Sequence, residues 1–323
     1  MTPQAFTVSR EEAGQTVTAV LRSHLGLSWS QARRLVGDRQ VRLGGAPCLD
    51  PTRRVRAGQR LEVGPPGAHA PERREPSPRI RIADAHVVVV DKPAGLTTMR
   101  HAQDIAEFGR RARRFLPPTL ADLLPSLLAA GRPGRLPVVR AVHRLDKDTS
   151  GLVVFARTPE AERHLGLQFR LHTVERRYLA VVRGRATDRC LESYLVSDRG
   201  DGRRGSTTEA GQGKRAVTHV QVVEDLGDFT LVECRLETGR THQVRIHLGE
   251  SGTPLCGEHI YDRPLHGRPL LPDASAFPRP ALHAARLGFE HPATGKHMAW
   301  QSPLPKDLAD LVKRLRSAKR SPS

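Results

Sequence analysis

Residues 64–78 read Gly-Pro-Pro-Gly-Ala-His-Ala-Pro-Glu-Arg-Arg-Glu-Pro-Ser-Pro, a stretch of proline, alanine and charge with no apolar period. It has little to bury and, at its prolines, no amide to donate, so it cannot join a helix or a sheet. It therefore cuts the chain in two. A length of 323 residues points the same way, since it exceeds one ordinary unit and predicts about two domains. The expected plan is a module at 1–64, a linker at 65–78, a large domain at 79–312 and a frayed basic tail at 313–323.

In the first module Val17, Val20, Leu21 and Leu25 recur at helical spacing. Ser30 is expected to cap a second short helix with Ala32, Leu35 and Val36 inward and Arg33 and Arg34 outward. A strand through Val41 and Leu43, a Gly44-Gly45 turn, and a return through Val55 and a Gly58 turn to Leu61-Glu62-Val63 complete a small α/β unit. The large domain is dominated by apolar runs of strand length: Val87 to Val90, Val138 to Val142, Leu152 to Ala156, Tyr178 to Val182, Val217 to Val223 and Phe229 to Leu236. Helices are fewer, one at Leu120 to Leu128 and one capped by Thr158 with Pro159 in its first turn. This mixture predicts an α+β fold with a mixed, mainly antiparallel sheet.

Lys and Arg number 52 against 34 Asp and Glu, a net charge of +18, and a field of that sign attracts RNA or DNA before anionic lipid. Only seven of those cations are Lys, so a compositional preference for Arg explains part of the excess. No run approaches the roughly 20 apolar residues of a membrane span, and the opening MTPQAFTVSREEAG lacks a basic-then-apolar leader, so a cytoplasmic protein without membrane contact is expected. Cys48, Cys190, Cys234 and Cys256 lie far apart without nearby histidine at ligand spacing; they read as small buried hydrophobes, with neither disulfides nor a metal site. Gly200-Asp201-Gly202-Arg203-Arg204-Gly205 matches a dinucleotide fingerprint, but GSTTEAGQGK follows without a helix period, and a flexible loop is expected.

Chemistry concentrates in two places. His143-Arg144-Leu145-Asp146-Lys147-Asp148-Thr149-Ser150-Gly151 sits between two apolar strands, where a rigid edge can aim a carboxylate into a cleft. An ordinary connection, with Asp146 paired to Arg144, accounts for the same residues. The second cluster, Glu237-Thr238-Gly239-Arg240-Thr241-His242-Gln243-Val244-Arg245-Ile246-His247, follows another strand, with Arg240 near a helix start and Arg245 and His247 within the helix.

The first cluster resembles the signature of the RluA-type pseudouridine synthases, and further segments match that family in order. They are Asp91 to Leu96 with Lys92-Pro93, Tyr178 to Val181 with Gly184, Gly213-Lys214 with Ala216 and Thr218, Glu237 to His247, Leu282-His283-Ala284 and His291-Pro292. The first module resembles an S4 RNA-binding domain, with Gly44-Gly45 and Gly58-Gln59 standing where that family commonly has Asn-Gly and Gly-Asp. Gly257-Glu258 and Tyr261-Asp262 likewise replace a common Gly-Asp and Tyr-Gly, and the Arg-dense segment 100–115 lies where the family varies.

The resemblance implies the pseudouridine synthase fold and an isomerase acting on RNA, ribosomal RNA first, as a monomer that needs no cofactor or metal. It makes Asp146 the nucleophile or base, by attack on the sugar, addition to the base or abstraction of a sugar proton. Arg240 is the expected ion-pair partner that keeps Asp146 charged, and Tyr178 the residue that stacks on uracil and transfers a proton. Arg144 would fill the space left by a flipped uridine, since a guanidinium both stacks and binds phosphate. His143, Lys92 and Arg245 are expected at the RNA or supporting the site, and Arg33, Arg34, Arg39 and Arg42 on the RNA face of the first module. A different class of reading is a non-catalytic RNA-binding protein that assists ribosome assembly on a degenerate synthase fold.

Overall fold

The computed structural model describes residues 4–38, 40–48, 50–51, 53–64, 77–100, 106, 109, 116–129, 136–199, 203–209, 211–262 and 271–320. The chain forms two compact units, residues 1–75 and 76–323.

The first unit sets two helices, α1 (Val17–Leu25) and α2 (Trp29–Gly37), against an antiparallel sheet of β1 (Gln4–Thr7), β2 (Val41–Leu43), β3 (Ala46–Pro47) and β4 (Arg60–Val63), in the order β1-β4-β2-β3. Val17, Val20, Leu21, Ala32 and Val36 meet Val41, Leu43, Leu61 and Val63 in one core. The cap of α2 is Ser28, not Ser30. Its hydroxyl accepts from the Gln31 amide while the Gln31 side chain accepts from the Ser28 amide, and this reciprocal box satisfies two helix-end donors where Ser30 could satisfy one. Arg33 and Arg34 are exposed on α2, and Arg42 is half-buried on β2. Arg39 and residues 65–76 lie outside the described residues.

In the second unit 11 strands join one sheet among the described residues. They are β5 (Arg79–Ala83), β6 (Val87–Lys92), β7 (Arg140–Ala141), β8 (Ser150–Ala156), β9 (Glu175–Arg183), β10 (Arg189–Val196), β11 (Gly205–Thr207), β12 (Lys214–Asp225), β13 (Phe229–Leu236), β14 (Leu282–Glu290) and β15 (His297–Gln301). The path runs β11-β10-β12-β13-β9-β14-β8-β6-β5, with β15 on β14 and β7 on β8. Pairing is antiparallel except between β14 and β8, so the sheet is mixed and mainly antiparallel, as the sequence pattern predicts. β11 occupies part of the expected flexible loop and pairs with β10; residues 200–202 lie outside the described residues.

β6 and β8 read as unbroken apolar runs because both of their faces are covered. Val87, Val89, Leu152 and Val154 pack under α4 (Pro159–Arg170), while Val88, Val90, Val153 and Phe155 pack under α3 (Leu120–Ala129). A third helix of this unit, α5 (Gln243–Glu250), follows β13. α6 (Lys306–Arg320) corrects the expected tail: its helix runs eight residues past 312, since Leu308, Leu311, Val312 and Leu315 form a continuous buried stripe against Val181 and Leu231. Arg316 and Lys319 pair with Glu224 and Asp225 at the β12 end. Cys48, Cys234 and Cys256 are buried, but Cys190 is exposed on β10. No helix among the described residues is long and apolar enough to cross a membrane.

Candidate active site

Asp146 lies in the connection from β7 to β8, and side chains pin that connection at the carbonyls of Leu145, Lys147 and Asp148. The Thr98 hydroxyl donates to Leu145 O (2.7 Å) and accepts from Leu145 N (3.1 Å). Lys92, fully buried at the end of β6, spends all three ammonium protons on the carbonyls of Pro93, Leu96 and Lys147 at 2.8–3.0 Å. Arg279 donates to Asp148 O at 3.0 Å. Burial pushes the Lys92 ammonium down to about 7 against the opposing charges of Asp148 and Asp146. Lys92 thus supports the loop from beneath and has no proton left for RNA.

Beyond the loop, Gly151 has φ +113, and a Cβ there would stand 2.3 Å from Ala284 O. Only glycine permits this close parallel approach of β8 to β14. The next bond down, Ser150 Oγ to His283 Nδ1 at 2.9 Å, closes the same junction.

The Asp146 side chain is 19% exposed, and Arg245 Nη1 stands 3.4 Å from its Oδ2. This corrects the expected pairing. Arg240 instead turns its Nε to Arg215 O at 3.0 Å, and Arg245, expected at the RNA, is buried on α5 as the cation beside the carboxylate. Two features fix Arg245. Gln243 pins the start of α5 by accepting from Thr238 Oγ1 and Arg240 N and donating to Val217 O and Thr218 Oγ1, all at 2.8–3.0 Å. Glu258 then takes the guanidinium at two points, 2.7 and 2.9 Å. Burial would raise the Glu258 carboxyl, but Arg245 and the amides of Ile260 and Tyr261 outweigh it and hold it below the ordinary range.

His242 approaches Asp146 Oδ1 at 3.7 Å through Nε2, while its Nδ1 meets the Tyr261 hydroxyl at 2.7 Å. Sequence reasoning assigns no role to His242, Glu258 or Tyr261. A signal for Glu258 is nevertheless present: a helix buried on every side, as α5 is, cannot carry Arg245 without an acid, and Glu258 stands in one of the segments that departs from the family pattern.

Asp146, His242 and Arg245 line a cleft of about 520 Å³ together with Arg144, Phe169, Arg176, Tyr178 and Arg240. Burial pushes the Tyr178 phenol up to about 12, with Arg176 opposing and Asp146 assisting, so it is protonated at neutral pH. Arg144 is exposed at the cleft. His143 is turned inward: its Nε2 accepts from Val154 N at 3.0 Å and its ring stacks on Phe169 at 4.5 Å. Burial first and Arg176 second push it down to about 3, so it stays neutral and serves the packing of β8 against α4.

Residues 86–250 match the family described as RNA pseudouridylate synthase, and that span holds Lys92, Asp146, Tyr178 and Arg245 together. The chain belongs to the RNA pseudouridylate synthase family. The synthase is 38% identical over 239 residues to the ribosomal large subunit pseudouridine synthase D of Zymomonas mobilis, covering 74% of this chain and 73% of that one. With the RNA pseudouridine synthase YlyB of Bacillus subtilis it shares 36% identity across 96% of this chain and 97% of the relative. Among solved structures it resembles human RNA pseudouridylate synthase domain containing 4, at 25% identity and a TM-score of 0.57, covering 74% of this chain and 93% of that one.

Proposed function

We propose that this synthase converts uridine to pseudouridine in large-subunit ribosomal RNA, with Asp146 as its reactive carboxylate. The isomerisation breaks the bond from uracil N1 to ribose C1′, turns the base and bonds C5 to C1′. C5 gives up a proton and N1 gains one, so no atom is lost. The observation that carries the reading is the Asp146 carboxylate, open to the cleft on a clamped loop and faced by a buried guanidinium.

Arg245 balances the negative charge of Asp146; burial pushes the His242 imidazole below its usual range, so it faces the carboxylate as a neutral ring. Tyr178 stacks on the detached uracil and donates from a hydroxyl that remains protonated. Arg144, at the exposed rim, enters the stack that the flipped uridine leaves. The choice of ribosomal RNA rests on the relatives whose names carry that substrate. The first unit serves as an S4-like RNA-binding module through Arg33, Arg34 and Arg42. Mapping pseudouridines in total RNA from cells with and without the gene tests the substrate: one or a few large-subunit sites should vanish, and an unchanged large-subunit map would overturn it.

A further inference from the structure

Three arginines are buried among the described residues, Arg176, Arg183 and Arg245, and two of them have an acid. Arg245 is held by Glu258. Arg183 gives hydrogen bonds to the carbonyls of Leu255, Leu271 and Glu258 and stands 3.8 Å from Asp273. Arg176 differs. Its Nη2 donates to Glu237 O at 2.8 Å and its guanidinium lies 5.7 Å from the Phe169 ring, but Nε is buried with no partner and no carboxylate among the described residues comes within ion-pair distance. A buried cation left uncompensated is expensive, so a site that keeps one is built for an anion that arrives later.

The surroundings point the same way. Arg176 lines the cleft with Asp146 and Tyr178, and Arg240 and His172 line the same cleft. Arg240 adds to burial in disfavouring the Arg176 charge, while burial, Arg176 and Arg240 together push His172 down. Gly239 makes room for the guanidinium, since a Cβ there would press on Arg176 Nη1. His172 holds a left-handed backbone (φ 60), a strained conformation for a side chain of its size, just after α4.

We propose that Arg176, with Arg240 and His172, forms a phosphate subsite of the cleft that grips the RNA backbone beside the reacting nucleotide. A planar guanidinium lining the cleft without a carboxylate partner matches a phosphodiester, and the second guanidinium adds to the attraction. The naming of the anion as an RNA phosphodiester rests on the function proposed above; the anion site itself does not.

The test uses the full chain and the substitutions Arg176→Met and Arg176→Lys. Inorganic phosphate, compared with chloride at equal ionic strength, should raise the unfolding temperature of the wild type more than that of Arg176→Met, the difference cancelling the general stabilisation by phosphate. Without phosphate, Arg176→Met should unfold no lower than wild type. Its RNA affinity should fall about tenfold, and the slope of log affinity against log salt should shrink by about 0.7. Arg176→Lys should recover part of the affinity. An Arg176→Met protein that unfolds earlier, responds to phosphate as wild type does and binds RNA normally would overturn the subsite. Should Arg176→Met fail to fold, Arg240→Gln must still weaken RNA binding and reduce the salt slope, and unchanged values there would overturn it equally. A protein that shows the phosphate response but makes no pseudouridine would keep the subsite and reject the proposed function.

Discussion

Arg245 stands between two carboxylates that hold it differently. Glu258 meets it at two points, 2.7 and 2.9 Å, and also accepts amides from His259, Ile260 and Tyr261. Asp146 touches it once, at 3.4 Å. The shorter bidentate pair sets the orientation, so Glu258 aims the guanidinium and Asp146 feels its field while keeping oxygen lone pairs for the proposed reaction. Glu258→Gln should therefore leave a buried cation short of its acid, costing about 3 kcal/mol of stability and slowing turnover at saturating RNA beyond what the unfolded fraction explains. Urea unfolding and single-turnover rates check both; wild-type stability in the variant would contradict the pairing. The sequence makes the partner of Asp146 an arginine of this cluster but favours Arg240. The choice turns on which guanidinium Glu258 grips, and Glu258, 13 residues beyond Arg245, shows in no apolar spacing.

Among the elements, the apolar strands are legible because β6 and β8 are covered on both faces, and Thr158-Pro159 announces α4 through its cap and first turn. What stays hidden depends on neighbours far along the chain. α6 looks like a basic tail because its buried stripe is diluted by cations, which find Glu224 and Asp225 only in the folded unit. The parallel register of β14 on β8, His283 opposite Ser150, is likewise invisible locally, yet it carries the loop that holds Asp146. Gly151→Ala tests that register. A methyl placed 2.3 Å from Ala284 O at φ +113 must push the strands apart, so the variant should lose about 2 kcal/mol or more and displace Asp146. Thermal unfolding reads the first effect and pseudouridine formation the second; a variant normal in both would show that the loop does not depend on this close approach.

For the whole molecule, a charge of +18 supplies attraction to RNA without specificity, and in the proposed reaction the cleft supplies the chemistry. The two contributions should separate. Replacing Arg33 and Arg34, exposed on α2, by Gln in the full chain should weaken RNA binding and reduce the salt slope by about 0.7 for each phosphate no longer neutralised. The single-turnover rate at saturating RNA should not change, and a collapsed rate at unchanged affinity would refute the division of labour.

The proposed reaction depends most on Asp146, and Asp146→Asn tests it directly because the change keeps the side chain's shape while removing its charge. Pseudouridine formation and thermal unfolding should be measured on one preparation, beside Asp148→Asn as the neighbouring control. The expected result is a folded Asp146→Asn protein that binds RNA and forms no detectable pseudouridine, with Asp148→Asn active. Substantial turnover by a well-folded Asp146→Asn protein, or a loss confined to Asp148→Asn, would contradict it.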